Sequence, residues 1–128
     1  MRLLLDTHVL LWFQADDPAL PKEAEQLIRS RDNEAYVSMV SLWEIGLKHG
    51  IGKLPLHMPL DAFLGTITEA HFRILPLERP HIVAAAPLPL HHRDPFDRML
   101  IAQAKHEGMR LITVDQHFPA YGVPTVGG

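Results

Sequence analysis

The chain has 128 residues, 47% hydrophobic and 21% charged, with a formal net charge of −3, the size and balance of one domain able to bury about two-thirds of its unfolded surface and fold without staples. It contains no cysteine, which excludes disulfides, thiolate catalysis and cysteine zinc sites together. The slight acidity argues against free-standing nucleic-acid affinity, which rests on clustered Lys and Arg, yet leaves room for a nuclease whose positive charge comes from a bound metal.

Residues 2–13 open with Leu3, Leu4 and Leu5, a run without polar alternation that predicts a short strand buried on both faces of a parallel sheet. The run stops at Asp6; apolar residues resume at Val9, Leu10, Trp12 and Phe13, so strand turns into helix there. A carboxylate at this junction lies at the carboxyl end of a central strand, where open α/β sheets gather their ligands. Its plainer role is to cap the following helix. Asp6 also interrupts the leucines before any signal-peptide cleavage pattern, and no apolar run approaches the ~20 residues of a membrane span. The expectation is a soluble, cytoplasmic protein.

Asp16-Asp17-Pro18 reads as a turn, and Pro21 opens a second helix over 22–31 with an apolar stripe at Ala24, Leu27 and Ile28. A strand over 35–38 leads to a helix over 41–50, stopped at Gly50. A helix over 60–70, a strand over 72–77 and a short helix over 81–86 follow. Asp94-Pro95-Phe96-Asp97-Arg98 begins a helix running through Lys105 and stopped at Gly108, and residues 111–114 form a fourth buried strand ended by Asp115. Strands alternating with helices predict right-handed crossovers in a parallel sheet within a single domain over 1–128.

Asp6 and Asp115 therefore emerge on the same sheet edge. Asp97, in the first turn of one helix, and Glu44, in another, can be aimed at it. Gathered carboxylates repel unless protonated or given a cation, and an all-oxygen cluster suits Mg²⁺, with Mn²⁺ as a substitute. Such an ion can activate water and offset charge on a phosphoryl oxygen. Each acid also has a plainer reading. Asp94 and Asp97 fit a helix cap with Pro95 at the first helical position, Ser41 and Glu44 fit a capping box, and Glu44 precedes Lys48 by four residues, the spacing of a surface ion pair.

The nine histidines form no His-Glu-x-x-His pattern. His91-His92 reads as a loop pair near the mouth of the site, and His8 as a surface or packing residue. Gly50-Ile51-Gly52-Lys53 lacks the remainder of a phosphate loop. Trp12, Trp43 and Phe96 read as core, while Lys48, Lys53, Arg93 and Arg98 flank the acidic edge.

With these residues identified, the chain resembles the PIN-domain ribonucleases and, among them, the VapC-type toxins of prokaryotic toxin–antitoxin pairs. The resemblance rests on Leu-Leu-Asp-Thr-His at 4–8, Ser-x-x-Ser-x-Trp-Glu-Ile at 38–45, Lys48 with Gly52-Lys53-Leu54, His92-Arg93-Asp94-Pro95-Phe96-Asp97-Arg98, Leu-Ile-Ala-Gln-Ala at 100–104 and Thr113-Val114-Asp115. It implies an α/β/α sandwich and metal-dependent endonucleolytic cleavage of RNA, often tRNA, rRNA or another structured RNA of translation. It makes Asp6, Glu44, Asp97 and Asp115 the acidic metal quartet, supported by the Thr113 hydroxyl, and leaves Asp94 as a helix cap. It further implies homodimerisation and inhibition by a cognate antitoxin that inserts a basic side chain among the acids. The competing expectations are a PIN nuclease of RNA processing or repair, and a non-catalytic acidic module that binds a basic peptide. A receiver-like module would need a mid-chain phosphoacceptor Asp and a later Lys, and neither is evident.

Overall fold

A computed structural model describes residues 1–89, 94–115, 118–121 and 125–126. His91, His92 and Arg93 lie outside them. The strands are β1 (Arg2–Leu5), β2 (Glu34–Ser38), β3 (Arg73–Leu75), β4 (Arg110–Ile112) and β5 (Thr125–Val126). They form one parallel sheet in the order β3-β2-β1-β4-β5. The helices are α1 (Thr7–Gln14), α2 (Lys22–Arg29), α3 (Met39–Gly50), α4 (Leu60–Thr68), α5 (Arg79–Ala85) and α6 (Pro95–Glu107).

β1 is the central strand. Leu4 registers with Tyr36 on one side and with Leu111 on the other. Because successive strand side chains point to opposite faces, its three leucines divide between two cores, and each is 0% exposed. Leu3 and Leu5 join Val9, Leu10, Ile28 and Ile45 on the face covered by α1 to α4, and Leu4 joins Leu100, Ile101 and Ala104 of α6 on the other. That is the three-layer α/β/α sandwich expected of an uninterrupted leucine run.

Local chemistry sets the element ends. Asp94 accepts hydrogen bonds from the Phe96 and Asp97 amides at 2.8 and 3.2 Å with Pro95 as the first helical residue, and Gly108 ends α6 in the left-handed conformation at φ 68°, both as expected.

Several expectations need correction. α3 starts at Met39 and is capped by Ser38, whose hydroxyl accepts from the Val40 amide at 3.0 Å; Ser41 and Glu44 lie within the helix and form no capping box. α2 ends at Arg29, two residues early, because Ser30 is already extended. α4 stops at Thr68 and β3 spans only Arg73–Leu75. α5 begins at Arg79, ahead of the anticipated start, because Pro80 is tolerated in a first turn. β4 stops at Ile112, so Asp115 follows it by three residues instead of directly. β5 was not anticipated. Trp43 is 61% exposed, whereas Trp12 and Phe96 are partly buried against the two cores as expected. Among the described residues no helix is long and apolar enough to cross a membrane.

Candidate active site

At the carboxyl edge of the sheet, Asp6 is the first residue past β1 and is almost fully buried. Its amide donates to the Ile112 carbonyl at 3.0 Å, extending the pairing with β4. One carboxylate oxygen accepts from the His8 amide at 3.1 Å and so caps α1. The other accepts from the Thr113 hydroxyl at 2.8 Å. Capping and site geometry are thus the same fact: the bonds that start the helix fix the direction of the acid. Thr113, the first residue past β4, also accepts from the Asp115 amide at 3.0 Å, which ties the second strand-end acid to the first.

Glu44 reaches the same place from α3 and is almost fully buried. Thr7 donates to its Oε1 at 2.8 Å and lies 2.9 Å from the Ser41 hydroxyl. Since Thr7 has one hydroxyl proton, Ser41 must donate back to it. On the other side, Lys48 Nζ sits 2.5 Å from Glu44 Oε2. In the sequence Thr7 carries no role of its own and Ser41 reads only as a capping-box residue. Their signal was available as hydroxyls flanking two candidate acids, but the same hydroxyls served equally well as caps.

Asp97 enters from the first turn of α6, and its acidity registers the convergence. Burial first, and then the charges of Asp6, Asp94, Glu44 and Asp115, push its carboxyl up to about 8. Burial also raises Asp6, against the lowering effect of the Thr113 and His8 bonds. Asp6, Glu44 and Asp115 therefore each act on Asp97, and Glu44 on Asp6. Burial alone would pull the Lys48 ammonium down, but its bond to Glu44 and the charges of Glu44, Asp94 and Asp97 leave it above the ordinary lysine value. Buried carboxylates with interacting charges, held by fixed hydroxyls and with no sulfur among them, suit a hard divalent ion.

Two cavities open onto these groups. One of about 320 Å³ is lined by Thr7, Glu44, Lys48, Lys53 and Leu54, and one of about 270 Å³ by Asp6, Trp12, Val114 and Asp115. His8 lines both and is exposed, in keeping with its expected surface position. Lys48 and Lys53 flank the edge as predicted. Arg98, the residue after Asp97, donates from its Nη2 to the Leu88 carbonyl at 2.8 Å.

Away from this edge, Glu78, His81 and Glu107 bring their potential ligand atoms within 4.8 Å of one another, the one such group among the described residues. His81 Nδ1 accepts from the Glu78 amide at 3.0 Å, so its proton is on Nε2, 2.9 Å from Glu107. A metal on Nε2 would leave the ring without any proton, a costly state. His81 is instead the hub of a buried chain that passes through Gln103 to Ser38, the cap of α3.

The sequence matches the PIN domain family over residues 3–124. It is 30% identical over 123 residues to ribonuclease VapC22 of Mycobacterium tuberculosis (strain ATCC 25618 / H37Rv), covering 95% of this chain and 93% of that protein. The fold is similar to the crystal structure of VapBC2 from Rickettsia felis bound to a DNA fragment from their promoter, with a TM-score of 0.75 at 14% identity and 98% of each chain covered. It is also similar to DNA-bound VapBC from Salmonella typhimurium, with a TM-score of 0.73 at 17% identity, covering 98% of this chain and 97% of that one.

Proposed function

Taking as premise that the chain belongs to the PIN-domain family, we propose that it is a metal-dependent endoribonuclease, the toxin of a type II toxin–antitoxin pair. The observation that supports this reading is the Asp97 carboxyl, pushed up to about 8 by burial first and then by the charges of Asp6, Asp94, Glu44 and Asp115. These four residues would hold the ion, Mg²⁺ with Mn²⁺ as a substitute. When bound, such an ion supplies an acidified water and a Lewis acid for phosphoryl oxygens. The chain's own work is orientation. Thr113 and the His8 amide fix both oxygens of Asp6, Thr7 and Lys48 fix both oxygens of Glu44, and the Asp94 cap sets the first turn of α6 that carries Asp97.

The substrate in this reading is a structured RNA such as tRNA or rRNA, encountered in the cytoplasm. The cognate antitoxin would place a basic side chain among the acids. A cavity of about 450 Å³ that includes His8, Leu11, Trp12, Leu54, Met58 and Phe63 offers an apolar approach to that edge. Homodimerisation is supported by Met39, Trp43 and Leu47, spaced four apart on α3 and exposed together with Ile51.

Asp6→Asn and Asp97→Asn are each expected to abolish Mg²⁺-dependent RNA cleavage while the circular dichroism spectrum stays unchanged; full turnover in both variants would refute the assignment. Growth arrest on induced expression, relieved by the neighbouring upstream gene, is the expected toxin phenotype, and its absence would favour a processing nuclease.

A further inference from the structure

Lys48 stands out among the cations near the site. An exposed ion pair four residues apart on a helix contributes little, but here the carboxylate side chain is 3% exposed and the lysine side chain 37%. The ammonium is thus the bridge between solvent and a buried charge, and removing it would strand that charge. Both oxygens of Glu44 are already engaged, Oε1 by Thr7 and Oε2 by Lys48, whereas among the described residues Asp6 receives a hydroxyl and a backbone amide and no cation. A second divalent ion approaching Glu44 Oε2 would meet a positive charge already in place. The same ammonium feels Asp94 and Asp97 and borders the cavity that contains Glu44.

We propose that Lys48 is a positioning residue that takes the place of a second cation at the acidic edge, orienting Glu44 and restricting the site to one divalent ion. The inference rests on the metal-nuclease reading above and deepens it. Neutralising position 48 removes a nearby positive charge, so a divalent ion should bind more tightly, by roughly tenfold even if the two charges are screened as fully as in bulk water, while cleavage falls because Glu44 is no longer held. A lysine that merely supported the helix would affect stability and activity without tightening metal binding.

Calorimetric titration with Mn²⁺ in the absence of RNA tests this on the intact protein, Lys48→Met and Lys48→Arg, with thermal melts to verify folding. The expected result is one ion per chain in the wild type, roughly tenfold tighter binding with at least roughly tenfold slower cleavage in Lys48→Met, and an affinity within about twofold of wild type in Lys48→Arg, which keeps the charge. Two ions per wild-type chain, unchanged or weaker binding by Lys48→Met, or undiminished cleavage by that variant would each overturn the role of Lys48. A wild-type protein that binds no Mn²⁺ would overturn the metal-nuclease reading itself and this inference with it.

Discussion

Asp97 links the electrostatics of the site to the stability of the protein. Its carboxyl titrates at about 8 in the folded chain against an ordinary value of 3.8, so between these values the folded state retains a proton that the unfolded state has lost. Stability is therefore greatest below the lower value and declines as pH rises through the upper one. Thermal melts of metal-free protein are expected to give a higher Tm at pH 5 than at pH 8.5. Asp97→Asn should flatten that dependence, and Mg²⁺ should raise Tm more at the alkaline end, where it meets a carboxylate instead of an acid. A Tm that rises steadily with pH would contradict the sign. Asp6 was legible in the sequence as the acid that ends an apolar run, and Asp115 only approximately, since β4 stops three residues before it. Thr7 and Ser41 were not, since a hydroxyl near a helix start has several ordinary partners and only tertiary contact selects Glu44.

Among the elements, legibility followed the strength of the local signal. β1 could be read because three leucines admit no one-sided burial, and α6 because Asp94, Pro95 and Gly108 punctuate both ends. Ser-x-x-Glu at 41–44 mimics a capping box and hides the start of α3, which begins at Met39 under Ser38 with Val40 and Leu42 already buried. β5 carries only two residues and exists through its pairing with β4, information no local pattern contains. The stop of α6 can be tested directly. A side chain at Gly108 would meet no heavy atom within 4 Å, so Gly108→Ala carries only the backbone strain of φ 68°. A loss of about 1 kcal/mol by chemical denaturation is expected, with cleavage per folded molecule unchanged; a much larger loss would mean the site is sterically closed.

The whole molecule depends on β1 lying between segments distant in sequence. The order β3-β2-β1-β4-β5 puts residue 6 beside residue 113 across 107 positions of chain, a juxtaposition fixed by topology that periodicity could only suggest through the rule for parallel sheets. The surface is less complete. Trp43, 61% exposed on α3 between Met39 and Leu47, is a side chain that a monomer rarely leaves in water. Trp43→Ser is expected to shift the protein from dimer to monomer in light scattering coupled to size exclusion, with the circular dichroism spectrum preserved. A wild-type protein that is already monomeric would remove the basis for that expectation.

The acids are shared evenly between the two halves of the polypeptide: Asp6 and Glu44 precede the exposed Ala86-Pro87 step, and Asp97 and Asp115 follow it. Severed there, each fragment would inherit two carboxylates and half of a sheet whose central strand bonds across the cut. Neither piece alone could assemble the acidic edge. A nuclease wired in this way is in effect a two-key lock, and its two fragments, produced separately, would be harmless until brought together.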